Sequence, residues 1–274
     1  MKKFTAVMLS LLMSMALFAG CGDQSGTQSD SAQGSVAPAI QSGDDLAGKK
    51  VGVQGGTTGE TWVQENVQDV KLNSYNSGMD AALDLKNGAI DAIVLDELPA
   101  KAIVAQNPDL MVLDLTLTTE EYAIAVKKGN TALLESINAA IAKMKENGEY
   151  DALCQAFIPA DGNIVIPEAK GTEGSETIKM GTNAAFPPFE YVEGSDIVGF
   201  DISMSQAIAE DMGKKLEIVD MKFDALLSAL DAGNIDFAAA GMSATEERKQ
   251  HVDFSESYYS SAQVIIVQNP DAKK

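Results

Sequence analysis

The chain has one histidine, His251, and two cysteines, Cys21 and Cys154, among 274 residues. A single imidazole leaves no nucleophile–base pair and no metal cluster of the usual kinds. Two cysteines cannot make a disulfide framework. Basic residues are also scarce, with 20 Lys and Arg against 40 Asp and Glu and a formal charge of −20. Nucleic acid and anionic lipid headgroups are poor partners for such a chain. What is present is an ordinary apolar content of 45%, and enough length for one large or two small domains.

The front end is built differently from the rest. Lys2 and Lys3 lead into an apolar run over residues 4–18, the pattern of a signal peptide covering residues 1–20. No other segment is apolar enough to span a membrane. The run ends Leu17-Phe18-Ala19-Gly20-Cys21, which resembles a bacterial lipoprotein signal, although Phe18 stands where Leu is more usual. That resemblance implies acylation of Cys21 and an extracytoplasmic protein tethered to the cell membrane. Loss of residues 1–20 removes two Lys and no acids, and takes the formal charge to −22. Residues 21–45, rich in Gly, Ser, Gln and Asp, read as a flexible, disordered tether.

Residues 49–53 are expected to form a strand that runs into a Gly-rich turn. Thr57 or Thr58 can cap the helix that follows, and such a turn suits a carboxylate-sized anion. The spacing is not that of a dinucleotide loop. Residues 90–95 read as a buried strand ending at Asp96, where open α/β sheets bind ligands. Asp96 could equally cap the next helix. Residues 131–147 form an amphipathic helix with Leu133, Leu134, Ile137, Ile141 and Met144 on one face. Cys154 falls on the apolar stripe of a second, shorter helix and reads as core.

Residues 161–176 carry Gly162, Pro167, Gly171 and Gly174 among polar residues and read as a linker. The pattern then restarts. A strand at 177–181 leads into Phe186-Pro187-Pro188-Phe189, two aromatics on a stiff, extended loop. Ser243-Ala244-Thr245-Glu246 reads as a capping box, placing Arg248 near the first turn of a helix. A cation there opposes the helix dipole, unless an anion sits between them. Leu85-Lys86-Asn87-Gly88-Ala89-Ile90-Asp91 repeats as Leu230-Asp231-Ala232-Gly233-Asn234-Ile235-Asp236. Two related βα lobes are therefore expected, with a ligand cleft between the C-terminal edges of their sheets.

These strings resemble the polar amino-acid solute-binding proteins of ABC importers, the bacterial extracellular solute-binding protein family 3. The carriers are G-T-N-A-A-F-P-P-F-E at 181–190, V-G-F-D at 198–201, F-D-A-L-L at 223–227, G-N-I-D at 233–236, G-M-S-A-T-E-E-R at 241–248, V-G-V-Q-G-G-T-T-G-E-T at 51–61 and G-A-I-D-A-I-V-L-D at 88–96. Their order departs from the family, in which the Phe-Pro-Pro-Phe strand opens the mature protein. The resemblance thus implies an α/β, two-lobed, type II periplasmic-binding-protein-like fold, circularly permuted, with ligand in the interlobe cleft. Lobe 2 is expected at 46–115 and lobe 1 at 177–268. Residues 116–160 would supply a crossover strand and helices packing on lobe 1, 161–176 the permutation linker, and 269–274 a tail. One lobe-to-lobe crossing, near 116–121, is expected to remain, giving a looser hinge. A domain-swapped dimer is the alternative to permutation within a monomer.

Carried over by position, the resemblance implies that Arg248 holds the ligand α-carboxylate, helped by Ser243, Thr57 and Thr58. Asp96 would accept from the α-ammonium with the Gly241 carbonyl. Phe186 and Phe223 would sandwich the side chain, and Asn183 and Gln54 would meet its polar end. Phe189 keeps a core role. No cofactor and no metal are implied, and the partners are a small amino acid and an ABC permease. Asn183 in place of a carboxylate, and Gly59 in place of a longer side chain, leave the ligand open. Glutamine is favoured, with arginine or cystine next. The alternatives are an amino-acid-sensing domain or, less favoured, a dehydratase on the same fold.

Overall fold

A computed structural model of the chain describes residues 38–170 and 174–272. The signal peptide, Cys21 and most of the tether lie outside the described residues. The first stretch contains β1 (Lys50–Gln54), α1 (Thr58–Asn66), β2 (Lys71–Tyr75), α2 (Gly78–Lys86), β3 (Ala92–Asp96), α3 (Glu97–Gln106) and β4 (Leu110–Val112). The middle contains β5 (Thr118–Tyr122), β6 (Ala125–Lys127), α4 (Thr131–Asn147) and α5 (Glu149–Phe157). The last stretch contains β7 (Thr177–Thr182), β8 (Ala185–Phe186), β9 (Glu190–Glu193), β10 (Asp196–Val198), α6 (Phe200–Asp211) and β11 (Lys215–Asp220). It ends with α7 (Leu226–Ala232), β12 (Phe237–Ala238), β13 (Val252–Phe254) and β14 (Tyr259–Gln268).

Among the described residues three sheets form: a small one of β10, β9 and β8, and two larger ones that share one plan. The first has the order β2-β1-β3-β14-β4, with β5 paired to β14. The second has the order β11-β7-β12-β6-β13. In each, three strands are parallel and a fourth is inserted antiparallel from the other half of the chain, β14 in one and β6 in the other.

The sequence repeat has a structural counterpart. Asp91 Oδ2 accepts from the Lys50 N–H at 2.8 Å, and Asp236 Oδ2 accepts from the Lys179 N–H at 2.7 Å. A Cβ on Gly52 would meet Ile90 at 2.6 Å, and one on Gly181 would meet Ile235 at 2.3 Å. The same helix-to-strand corner is packed the same way in both lobes.

Alternation sets what each face buries. Every residue of β3 is buried, as a central parallel strand covered by helices on both faces requires. One apolar core holds Leu85, Ile93 and Ile103 together with Phe200, Ile208 and Phe237, so it runs through both lobes. Val51, Val63 and Ile265 line the other face of the first sheet, and Leu226, Leu230 and Ile235 that of the second. Helix α4 buries Ile137, Ala140, Ile141 and Met144, while Leu133 and Leu134 pack at its margin.

Several sequence expectations change. Lobe 1 does not keep residues 259–268, because β14 lies between β3 and β4 in the sheet of lobe 2. Two crossings are therefore present, one through residues 118–127 and one through 252–268, and the argument for a loosened hinge falls away. Residues 38–45, expected in the tether, lie against lobe 2. Ile40 and Leu46 are buried in the core of lobe 2, and the Gln41 and Ser42 N–H groups bind the Asp45 carboxylate. Ser243 does not head an α-helix. It bridges to Tyr122, and Thr245 accepts from the Arg248 N–H at 3.2 Å to start a three-residue 3-10 turn, Arg248–Gln250. The Phe-Pro-Pro-Phe stretch is a hairpin turn, with the Phe189 N–H bonded to the Phe186 carbonyl at 3.0 Å.

Candidate functional site

The ends of β1, β3 and β7 and the turn after β12 meet at one small, largely closed cavity. It is lined by Gln54, Thr57, Thr58, Asp96, Asn183, Phe186, Glu190, Phe223, Ala240, Gly241, Ser243 and Arg248. All ten binding residues expected from the sequence are brought together there. Two lining residues, Glu190 and Ala240, were not expected.

Lobe 2 contributes one wall. Thr57 caps α1, accepting from the Glu60 N–H at 3.3 Å, and its own hydroxyl donates to the Gln54 carbonyl at 2.8 Å. That leaves Thr58 in the first helical turn, facing the cavity. Asp96 occupies the backbone cap position of α3 but makes no capping bond. Its carboxylate accepts instead from the Tyr122 hydroxyl at 2.6 Å and from Gln263 Nε2 at 2.8 Å. Burial pushes Asp96 up to about 7, partly offset by those two hydrogen bonds.

Lobe 1 supplies the opposite wall. The Arg248 guanidinium lies over the Phe223 ring, 5.4 Å from its centroid. Nη1 donates to the Ser243 carbonyl at 2.8 Å and Nη2 to the Gly56 carbonyl at 2.9 Å. Both acceptors are neutral. Burial lowers the Arg248 pKa, and the charges of Glu120 and Asp96 oppose that shift. Gly241 sits at φ 53°, and a Cβ there would come within 2.7 Å of the Phe186 ring. Phe186 lines the cavity, whereas Phe189 is fully enclosed by Tyr122, Phe200 and Tyr259 at ring distances of 5.0–6.2 Å.

The far end is an amide pair across the lobes. Gln54 Nε2 donates to Asn183 Oδ1 at 2.9 Å, and Asn183 Nδ2 donates to the Met221 carbonyl at 2.8 Å. Gln54 Oε1 is enclosed and accepts no hydrogen bond among the described residues. It is an acceptor on the cavity lining with no donor supplied among the described residues. With the Arg248–Gly56 bond, the amide pair links the two walls directly, so the lobes are drawn together.

Sequence reasoning missed the support behind Asp96 and Gly241. Tyr122 and Gln263 lie on β5 and β14, strands that cross between lobes. Asp201 accepts from the Gly241 N–H and the Tyr258 hydroxyl. The only sequence signal was the last letter of two motifs, Glu190 in F-P-P-F-E and Asp201 in V-G-F-D.

Two parallel-cored lobes, each lent one antiparallel strand by the other, with a cation and an anion facing each other across the cleft, define a type II solute-binding fold. Residues 178–273 match the Bacterial extracellular solute-binding proteins, family 3. It is 43% identical over 93 residues to the arginine-binding extracellular protein ArtP of Bacillus subtilis, covering 34% of this chain and 36% of that one. It is 41% identical over 123 residues to the L-cystine-binding protein TcyJ of Escherichia coli, covering 44% and 46%. Among solved structures, an ancestral arginine-binding protein bound to glutamine is 48% identical over 30% of this chain and 37% of its own, with a TM-score of 0.30. The chain thus spans between a third and a half of the length of the two curated relatives it matches. Both curated relatives are named for the amino acid they bind.

Proposed function

We propose that the chain is the extracytoplasmic binding component of an ABC importer, capturing a polar L-amino acid between its lobes and presenting it to the permease. The observation that carries this reading is the half-buried Arg248, stacked on Phe223 and bonded only to neutral carbonyls, in one cavity with Asp96. A zwitterion supplies what both lack. Its carboxylate pairs with the guanidinium and the Thr58 and Ser243 N–H groups, and its ammonium ionises Asp96 fully. Contacts to both lobes at once favour the closed form.

Glutamine is the favoured ligand, with arginine and cystine next. Support comes from the unpartnered Gln54 Oε1 beside Asn183, which suits a side chain ending in N–H donors. Phe186 and Phe223 flank the path to it. We further propose a lipid anchor at Cys21, a monomer, and a circular permutation. Support for the permutation is that both sheets share one strand plan while the matched stretches stop short of half of each relative. A thermal-shift screen against the standard amino acids and cystine tests the binding reading. At least one of them raises the melting temperature. Turnover of the bound amino acid would instead favour the dehydratase alternative.

A further inference from the structure

Two carboxyl groups behind the cavity are not used by that reading. Glu190 opens β9, directly across from Phe186 in the β8–β9 pairing. It is fully buried, and neither carboxyl oxygen accepts from an N–H or O–H among the described residues. Asp201, in the first turn of α6, is also fully buried. Its Oδ2 accepts from the Gly241 N–H at 2.9 Å and the Tyr258 hydroxyl at 2.7 Å, and its Oδ1 has no such donor. The two carboxyl groups contact each other. The Asp201 N–H, bonded to the Phe189 carbonyl at 2.9 Å, fixes that contact through the backbone. Two ionised carboxylates do not hydrogen-bond, and no lysine or histidine lines this cavity to separate them.

We propose that Glu190 carries a proton and donates it to Asp201 Oδ1, and that this shared proton holds Gly241 in place against Phe186. Asp201 is then a positioning residue. One oxygen takes the Glu190 proton, and the other holds the N–H of Gly241, which lines the cavity. The groups around the pair agree with this. Asp96 from β3, Tyr122 from β5, and Tyr258 just before β14 are acids or hydroxyls, and the one cation on the cavity wall, Arg248, is committed to Ser243 and Gly56. Burial and the Asp201 charge raise Glu190 well above its ordinary value, while burial pushes Asp201 only to about 6. At neutral pH the proton therefore sits on Glu190.

Infrared difference spectra of the ligand-free protein test the proton. The spectra are taken in an Asp96→Asn background, which removes the other carboxyl raised to about 7. A protonated-carboxyl band should appear there at neutral pH and vanish when Glu190→Gln is added, and its absence with Glu190 present overturns the proposal. Amide exchange at Gly241 tests the positioning. Glu190→Gln replaces the acid O–H by an amide N–H that does not titrate, whereas Glu190→Leu removes the donor. Exchange at Gly241 should be about tenfold or more faster in Glu190→Leu than in Glu190→Gln. As the pH is raised into the alkaline range it should accelerate beyond the intrinsic base dependence only in the wild type. Equal exchange in the two variants, or an alkaline acceleration that survives in Glu190→Gln, overturns it. With L-arginine, L-glutamine and L-cystine as probes, Glu190→Leu should lose more affinity than Glu190→Gln. That last arm rests on the amino-acid reading. If the wild type binds none of the probes, that reading fails, and the infrared and exchange results still decide the proton.

Discussion

Asp96→Asn should stabilise the ligand-free protein at alkaline pH and do little in acid. Asp96 is buried among Tyr122 and Gln263 with no cation bonded to it, so its ionised form is disfavoured in the fold. The folded value of about 7 stands against 3.8 for the ordinary group. A raised acid pKa means that the folded protein holds the proton longer than the unfolded chain. Stability is then present below about pH 4 and is lost as the pH rises toward about 7. The shift of about three units corresponds to about 4 kcal/mol, an upper bound for a buried group. Asparagine keeps the shape and carries no charge. Its Oδ1 can accept from Gln263, and its amide can donate to the Tyr122 hydroxyl. Allowing for imperfect replacement, we expect a gain of about 2–3 kcal/mol, or roughly 5–10 °C in melting temperature for a domain of this size. The assay is thermal unfolding of ligand-stripped wild type and variant from about pH 4.5 to about pH 8.5. Their difference should grow from near zero to that value. A difference that stays constant with pH refutes the reasoning, because other groups titrate alike in both proteins. The same variant should lose ligand affinity, so binding and ligand-free stability move in opposite directions.

Further outcomes follow from the geometry. Phe189→Ala should cost about 3–5 kcal/mol of stability, because the ring is fully enclosed by three aromatics, as chemical denaturation would show. Phe186→Ala should instead weaken binding more than stability. Gly241→Ala drives a methyl into the Phe186 ring at an unfavourable backbone angle, and calorimetry should record a loss of affinity of about tenfold or more. Asn183→Asp puts a carboxylate at the side-chain end and should shift preference from glutamine toward arginine, read as the ratio of the two affinities.

The strings that carry the site were legible because each is local. G-T-N-A-A-F-P-P-F-E places Asn183 and Phe186 on one turn, and the strand ending at Asp96 is a continuous apolar run. Sheet membership was not legible for β14, because an apolar strand fits either lobe and its partner is set by a crossing of the chain. Ser243 has a capping sequence, yet its backbone pairs with Tyr122 and the capping falls to Thr245. Tertiary pairing outweighed the local motif. Ile40 has only polar and small neighbours in sequence, so nothing local marks it as core, although it fills space beside Leu46 and Val51. Nothing local gives Glu190 a role, because that role exists only where α6 brings Asp201 beside it.

The account stands most directly on Arg248 as the ligand's anion partner. Calorimetric titration of wild type and Arg248→Ala with the amino acid that the thermal-shift screen selects is the decisive measurement. The account predicts saturable binding to the wild type and none detectable to the variant, with the variant's circular dichroism unchanged. Binding of the same ligand to Arg248→Ala with undiminished affinity would contradict it.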